Sequence, residues 1–210
     1  MDTSGTFRSI IPSWRTALTS RPWDVSITLL VLAVSSVSYS RFLGAVERRP
    51  GVVLADPLHA LFNPIDCTWP IFILLYGAIV LTVAALLPHP DRFLQALRAY
   101  TIVIGLRITM MWATPLDPPP AMIPLADPVV GFLTGGSVPL GRDLFFSGHT
   151  SLLVLAAMVV PSAILRRILV GVSIGVAVAV VVQHVHYTVD VLVAPLAAYA
   201  AFRLTAPKQT

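Results

Sequence analysis

A chain of 210 residues that is 56% apolar and only 11% charged lacks the polar surface to cover a water-soluble globule, so its composition points to a membrane-spanning protein. Its net charge of +4 comes from basic residues scattered singly rather than interleaved with stacking aromatics, which argues against a nucleic-acid partner. With a single cysteine, Cys67, no intramolecular disulfide is possible, and that residue reads as a small apolar filler.

The chain begins with a segment, 1–23, that carries Arg8, Arg15 and Arg21 among apolar residues. It is expected either to lie along the cytoplasmic interface or to form a disordered tail. The first apolar run starts only near Val25 and is long enough to span, so it is expected to stay as a helix rather than be cleaved as a signal peptide. Blocks such as Trp69 to Leu87 and Ile168 to Val182 run for most of the length a helix needs to cross roughly 30 Å of hydrocarbon. Six helical spans are predicted, over 24–44, 69–88, 93–113, 149–165, 168–184 and 188–204. Gly and Pro punctuate the gaps, as in Pro88-His89-Pro90 and Pro115 through Pro120. The expectation is therefore an all-α polytopic membrane protein: a 24–204 six-helix transmembrane catalytic domain, preceded by 1–23 and followed by a cytoplasmic tail, 205–210.

Orientation follows from the basic residues, because Lys and Arg concentrate on the cytoplasmic side. With the N-terminus inside, the inner segments hold Arg8, Arg15, Arg21, Arg92, Arg166, Arg167, Arg203 and Lys208. The outer ones hold only Arg41, Arg48, Arg49 and Arg142. Both termini are thus expected in the cytoplasm, and the loops 45–68 and 114–148 on the non-cytoplasmic side. Trp14, Trp23, Trp69 and Trp112 fall near predicted span ends, as an interfacial belt would.

Two motifs then reach the same outer surface. The first, Gly141-Arg142-Asp143-Leu144-Phe145-Phe146-Ser147-Gly148-His149-Thr150, sits where a loop enters the fourth span. Ser147 and Thr150 are good caps, and the free backbone donors of a helix start beside Gly148 and His149 attract an anion such as phosphate. The same string also suits a plain capped junction. The second motif is His184-Val185-His186-Tyr187-Thr188-Val189-Asp190. Helical spacing sets the Asp190 carboxylate against the His186 imidazole, where it would orient the ring and leave the other nitrogen as a nucleophile. A buried pair that merely neutralises itself is the alternative, although ionisable groups inside a membrane bundle are usually functional. Metal binding is disfavoured, because His184 and His186 lie two apart and would face different ways on a helix.

Ser147-Gly148-His149-Thr150 followed by His186-Tyr187-Thr188-Val189-Asp190-Val191 resembles the sphingomyelin-synthase branch of the type 2 phosphatidate phosphatase superfamily. The resemblance extends upstream through Arg98, Tyr100, Arg107, Thr109-Met110, Thr114 and Pro115, and to Asp66 before the second span. Where that family often has Cys-Gly-Asp, this chain has Gly141-Arg142-Asp143, so only the aspartate matches. The Lys-x6-Arg-Pro motif of the soluble-phosphate branch is absent. The resemblance implies catalysis by His149, His186 and Asp190. His186 would carry the phosphorylated intermediate, supported by Asp190, while His149 would protonate the departing alcohol and then activate the acceptor hydroxyl.

Arg107, near the outer end of the third span, either neutralises phosphate or snorkels to the headgroups. Arg98, about 13 Å further inward, suits a structural role. Arg142 and Asp143 either contact a headgroup or are solvated loop charges. Ser147, Gly148 and Tyr187 complete the expected substrate-binding set. No cofactor or metal is expected, and the partners are membrane lipids: a phospholipid donor and a lipid-alcohol acceptor. Three functions remain open at this stage, namely a lipid phosphotransferase, a lipid phosphatase or phosphodiesterase with water as acceptor, and a catalytically silent membrane protein.

Overall fold

The structure is a computed structural model that describes residues 3–127 and 141–206. The expected loop over 114–148 lies in part, and the tail over 205–210 mostly, outside the described residues. The described residues fold into helices only, with one isolated bridge between Val52 and Leu116. They are α1 (Thr3–Ser20), α2 (Pro22–Val46), α3 (Thr68–Leu86), α4 (Pro90–Ala113), α5 (Gly148–Val159), α6 (Ala163–Val182) and α7 (Thr188–Leu204), with a single 3-10 turn at His59–Leu61 between α2 and α3.

Local sequence explains where these helices start and stop. Pro22 and Pro90 open α2 and α4, where a missing N–H costs nothing, and Asp24 and Asp91 add favourable charge to the first turns. Ser147 caps α5 and Ser162 caps α6 through their side-chain oxygens. The expected span over 149–165 is corrected here, because α5 ends at Val159. Pro161 forces Val160 into extended backbone (φ −68°, ψ 138°), and the chain restarts as α6 at Ala163. At 12 residues α5 is only about 18 Å long, less than a bilayer crossing. Among the described residues four helices have the length and composition to cross a membrane, namely α2, α3, α4 and α6, with mean hydropathies of 1.6, 2.2, 1.2 and 2.2.

From α2 to α7 the helices alternate in direction. One end of the bundle gathers the C-termini of α2, α4 and α6 with the N-termini of α3, α5 and α7. Bonds join these ends directly: Ile65 N to Val182 O at 3.2 Å, Ser147 N to Asp190 O at 3.1 Å, and Arg49 Nη1 to Trp112 O at 2.7 Å. Helix α5 sits at the centre. One of its faces packs with α3 and α6 through Ile71, Phe72, Leu153, Leu169 and Val176. Its other face packs with α4 and α7, where fully buried Ala194, Ala198 and Ala201 let the backbones approach closely. By contrast α2 leaves Ile27, Leu30, Val34 and Val37 exposed, as a lipid-facing helix does.

The segment 1–23 is helical over most of its length rather than a tail. Trp14 donates its indole N–H to Leu87 O at 2.7 Å and packs edge-on against Phe93, while Arg21 pairs with Asp91. These contacts seat α1 at the end of the bundle opposite the converging motifs.

Candidate active site

The second motif forms the turn between α6 and α7 and the first turn of α7. His184 takes a left-handed conformation (φ 57°), which swings the chain so that His186 and Asp190 point back into the bundle. His186 Nδ1 lies 3.2 Å from Asp190 Oδ2, and the same oxygen accepts the Tyr187 backbone N–H at 3.2 Å. Both side chains are buried. A carboxylate facing Nδ1 holds the proton there, which leaves Nε2 unprotonated and able to attack an electrophile.

His149 comes from the first turn of α5 and faces His186 with ring centroids 6.3 Å apart. The bond from Ser147 N to Asp190 O ties the two motifs through their backbones, so the spacing of the rings is set by main chain as well as packing. Ser147 itself is fully buried, and its Oγ accepts from Thr150 N and Thr150 Oγ1. Gly148 lies flat on the guanidinium of Arg107: a Cβ there would overlap Nη1 and stand 2.7 Å from Cζ. Any side chain here would push the guanidinium from its place beside the helix start.

Arg107 is buried on α4 and pairs with Asp143 at 2.6 Å, and Asp143 also accepts the Tyr39 hydroxyl from α2 at 3.0 Å. The Tyr39 ring lies 5.4 Å below the guanidinium carbon, a cation–π contact. Three buried polar atoms of this region have no partner among the described residues, namely Arg107 Nε, His149 Nδ1 and Asp190 Oδ1. A buried polar atom without a partner costs about 1–3 kcal/mol, so their concentration here marks a place built for something other than stability.

Arg107 and His149, with Asp143 and His186, line a cavity of about 490 Å³, whereas Asp190 is not part of its lining. Its polar rim holds Arg107, Asp143, Gly148, His149 and His186, with Asp127, Ser151, Tyr39 and Tyr100 alongside. Its remaining wall is apolar, including Leu43, Phe72, Leu75 and Ile104. Asp127 takes the Tyr76 hydroxyl at 2.7 and 2.9 Å.

Three residues of the expected substrate-binding set are not part of the cavity lining, and of these Ser147 is occupied in capping α5. Arg142 is spent on the loops, with Nε 2.6 Å from Asp117 Oδ1 and Nη1 2.5 Å from Glu47 O. The Tyr187 hydroxyl donates to Asp117 O at 2.8 Å and accepts from Leu54 N at 3.1 Å, stapling both long loops to α7. Neither lines the cavity, and neither does His184, which stacks on His59 with centroids 4.0 Å apart. Arg142 in turn holds the Asp117 carboxyl below its ordinary range by donating to it. Tyr39, Asp127 and Ser151 are polar lining residues that reading the sequence passed over, and Tyr39 is the one with a legible signal. The available signal was a tyrosine deep in an apolar span, whose hydroxyl needs a partner.

Among the described residues no three His, Cys, Asp or Glu side chains converge in a way that could hold a metal ion. Residues 142–206 match a family model described as PAP2 superfamily C-terminal, which supports kinship with the type 2 phosphatidate phosphatase superfamily. The matched stretch, under a third of the chain, contains both histidine motifs but not Arg107. No curated protein and no solved structure matches the chain.

Proposed function

We propose that this chain is an integral-membrane lipid phosphotransferase that moves a phospho-headgroup from a phospholipid to a lipid alcohol such as ceramide or diacylglycerol. The observation that carries this is one cavity in which His186, oriented by Asp190, faces His149 beside a buried arginine. His186 Nε2 attacks phosphorus; the bond from phosphorus to the diacylglycerol oxygen breaks, and His149 gives that oxygen its proton. The acceptor hydroxyl then loses its proton to His149 and takes the phosphoryl group, and breaking of the P–N bond returns the electron pair to Nε2. Arg107 offsets charge on the phosphate oxygens throughout. In this proposal six helices cross or enter the bilayer, both termini lie in the cytoplasm, and the site faces the other side.

The apolar wall of the cavity favours a lipid acceptor over water. Hydrolysis by the same site is the second reading, favoured by the match to a phosphatase superfamily. Purified protein incubated with a labelled phospholipid, with and without ceramide or diacylglycerol, separates the two. A new acceptor-dependent phospholipid is the result expected of a transferase. Acceptor-independent release of the headgroup phosphate would establish the hydrolase, and no turnover of any lipid would remove both.

A further inference from the structure

Helices α3 and α4 are consecutive and joined by a short turn at Leu87–His89, yet α4 packs chiefly against α2, α5 and α7 and only slightly against α3. The gap between them forms a second groove of about 150 Å³, floored by α5. Its α4 wall is Tyr100, Leu97, Ala96 and Phe93, and its α3 wall is Ile79, Thr82, Val83 and Leu86. The one hydroxyl on the α3 wall, that of Thr82, is turned inward onto Ala78 O at 2.7 Å, so the groove presents hydrocarbon along its length. Tyr100 and Leu152 line both this groove and the cavity that holds the histidines, so the two spaces adjoin at these side chains.

We propose that this groove is an acyl-chain site: one chain of the phospholipid whose phosphate lies at His149 and His186 runs past Tyr100 and down between α3 and α4. The proposal rests on the lipid reading given under Proposed function and deepens it by locating the chain. A polar cavity bordered at Tyr100 and Leu152 by an apolar groove matches the division of a phospholipid into headgroup and tail. Bulk lipid lying against an outer face would have no connection to the polar site. The depth is also informative. From Arg107 to Phe93 is 14 positions on α4, about 21 Å at 1.5 Å per residue, whereas one leaflet is about 15 Å deep. A chain matched to one leaflet therefore ends near Leu97. Longer chains meet Ala96, Phe93 and Leu86, and these residues set the upper limit.

The test uses the full chain in phosphatidylcholine nanodiscs. A phospholipid carrying a photoreactive group at the end of one acyl chain is cross-linked, and turnover is compared for dioctanoyl and dipalmitoyl donors. Labelling is expected within residues 79–100 in preference to the lipid-facing side of α2. Ala96→Phe should lower kcat/KM for the dipalmitoyl donor about tenfold or more, within the range that a few methylenes in an apolar pocket command, while dioctanoyl turnover stays within about twofold. Thr82→Leu narrows the groove from the α3 side and gives the same readout should Ala96→Phe fold poorly. Val34→Phe, on the exposed face of α2, should change neither donor. Labelling spread evenly over α2 and α6, or loss of both donors to the same degree in the groove variants, would overturn the assignment. If no phospholipid is turned over at all, the lipid-transfer reading fails, and the labelling pattern alone still decides the groove.

Discussion

Two arginines of α4 make salt bridges of the same length in very different surroundings. Arg107, at the site end, and Arg98, about 13 Å away toward the other end, each hold an aspartate of another segment at 2.6 Å. The side chains of Arg107 and Asp143 are 10% and 25% exposed; those of Arg98 and Asp24 are 37% and 42% exposed. Arg98 also donates to Thr28 from Nε, whereas Nε of Arg107 is buried with no partner among the described residues. The same contrast holds for the whole bundle. Among the described residues, every buried side-chain nitrogen or oxygen without a partner belongs to His59, Arg107, His149, His184 or Asp190, all at the site end. The opposite end satisfies its buried polar groups, while the site end leaves hydrogen-bonding capacity open, at Arg107, His149 and Asp190 around the cavity and at the stacked His59–His184 pair outside it.

The largest expected effect lies at the site end. His186→Ala should abolish turnover of a phospholipid, and Asp190→Asn should lower it by orders of magnitude while the protein keeps its melting temperature within a few degrees. Near-normal activity of His186→Ala would erase the difference drawn between the two ends.

His149→Ala should lose nearly all activity on a natural phospholipid, whose alkoxide needs a proton to depart, yet retain cleavage of a nitrophenyl phosphodiester, whose phenolate leaves unaided. His186→Ala should be inactive on both substrates. The reverse pattern would mean that the two histidines exchange roles.

A more moderate loss is expected around Arg107. Arg107→Lys replaces a two-pronged donor by a point charge and should lower kcat roughly ten- to a hundredfold at unchanged protein yield. Gly148→Ala pushes a methyl into the guanidinium and should produce a loss of similar kind without altering any titratable group. Full activity in both variants would make Arg107 a structural residue like Arg98.

The smallest effect belongs to the other end. Asp24→Asn removes a pair that is more than a third exposed, so its stability change should stay at about 1 kcal/mol or less, and turnover should stay within about twofold. A thermal melt and the same lipid assay read both quantities. A large loss of activity here would show that the site depends on the whole length of α4.

Much of this molecule was legible in the residues themselves, because its strongest determinants are local. Apolar runs marked the long helices and Ser147 marked the start of α5. The His186–Asp190 pair was expected from helical spacing, yet His186 lies in the turn before α7, and the two meet because Asp190, in the first turn of α7, reaches back to His186 and the Tyr187 N–H. The end of the fourth span was written in Pro161, but continuous hydrophobicity on both sides hid it. Tertiary structure alone decided how Arg107, Asp143 and Tyr39 meet, since they stand 36 and 104 positions apart in their contacts and no periodicity links them. It alone turned Arg142 and Tyr187 onto the loops, by offering the Glu47 and Asp117 carbonyls and carboxylates that their donors satisfy. Backbone hydrogen bonding acts over one helical turn and can be read from spacing. The partner of a long polar side chain is whichever buried group the packing brings within reach, and that is settled only when the helices assemble.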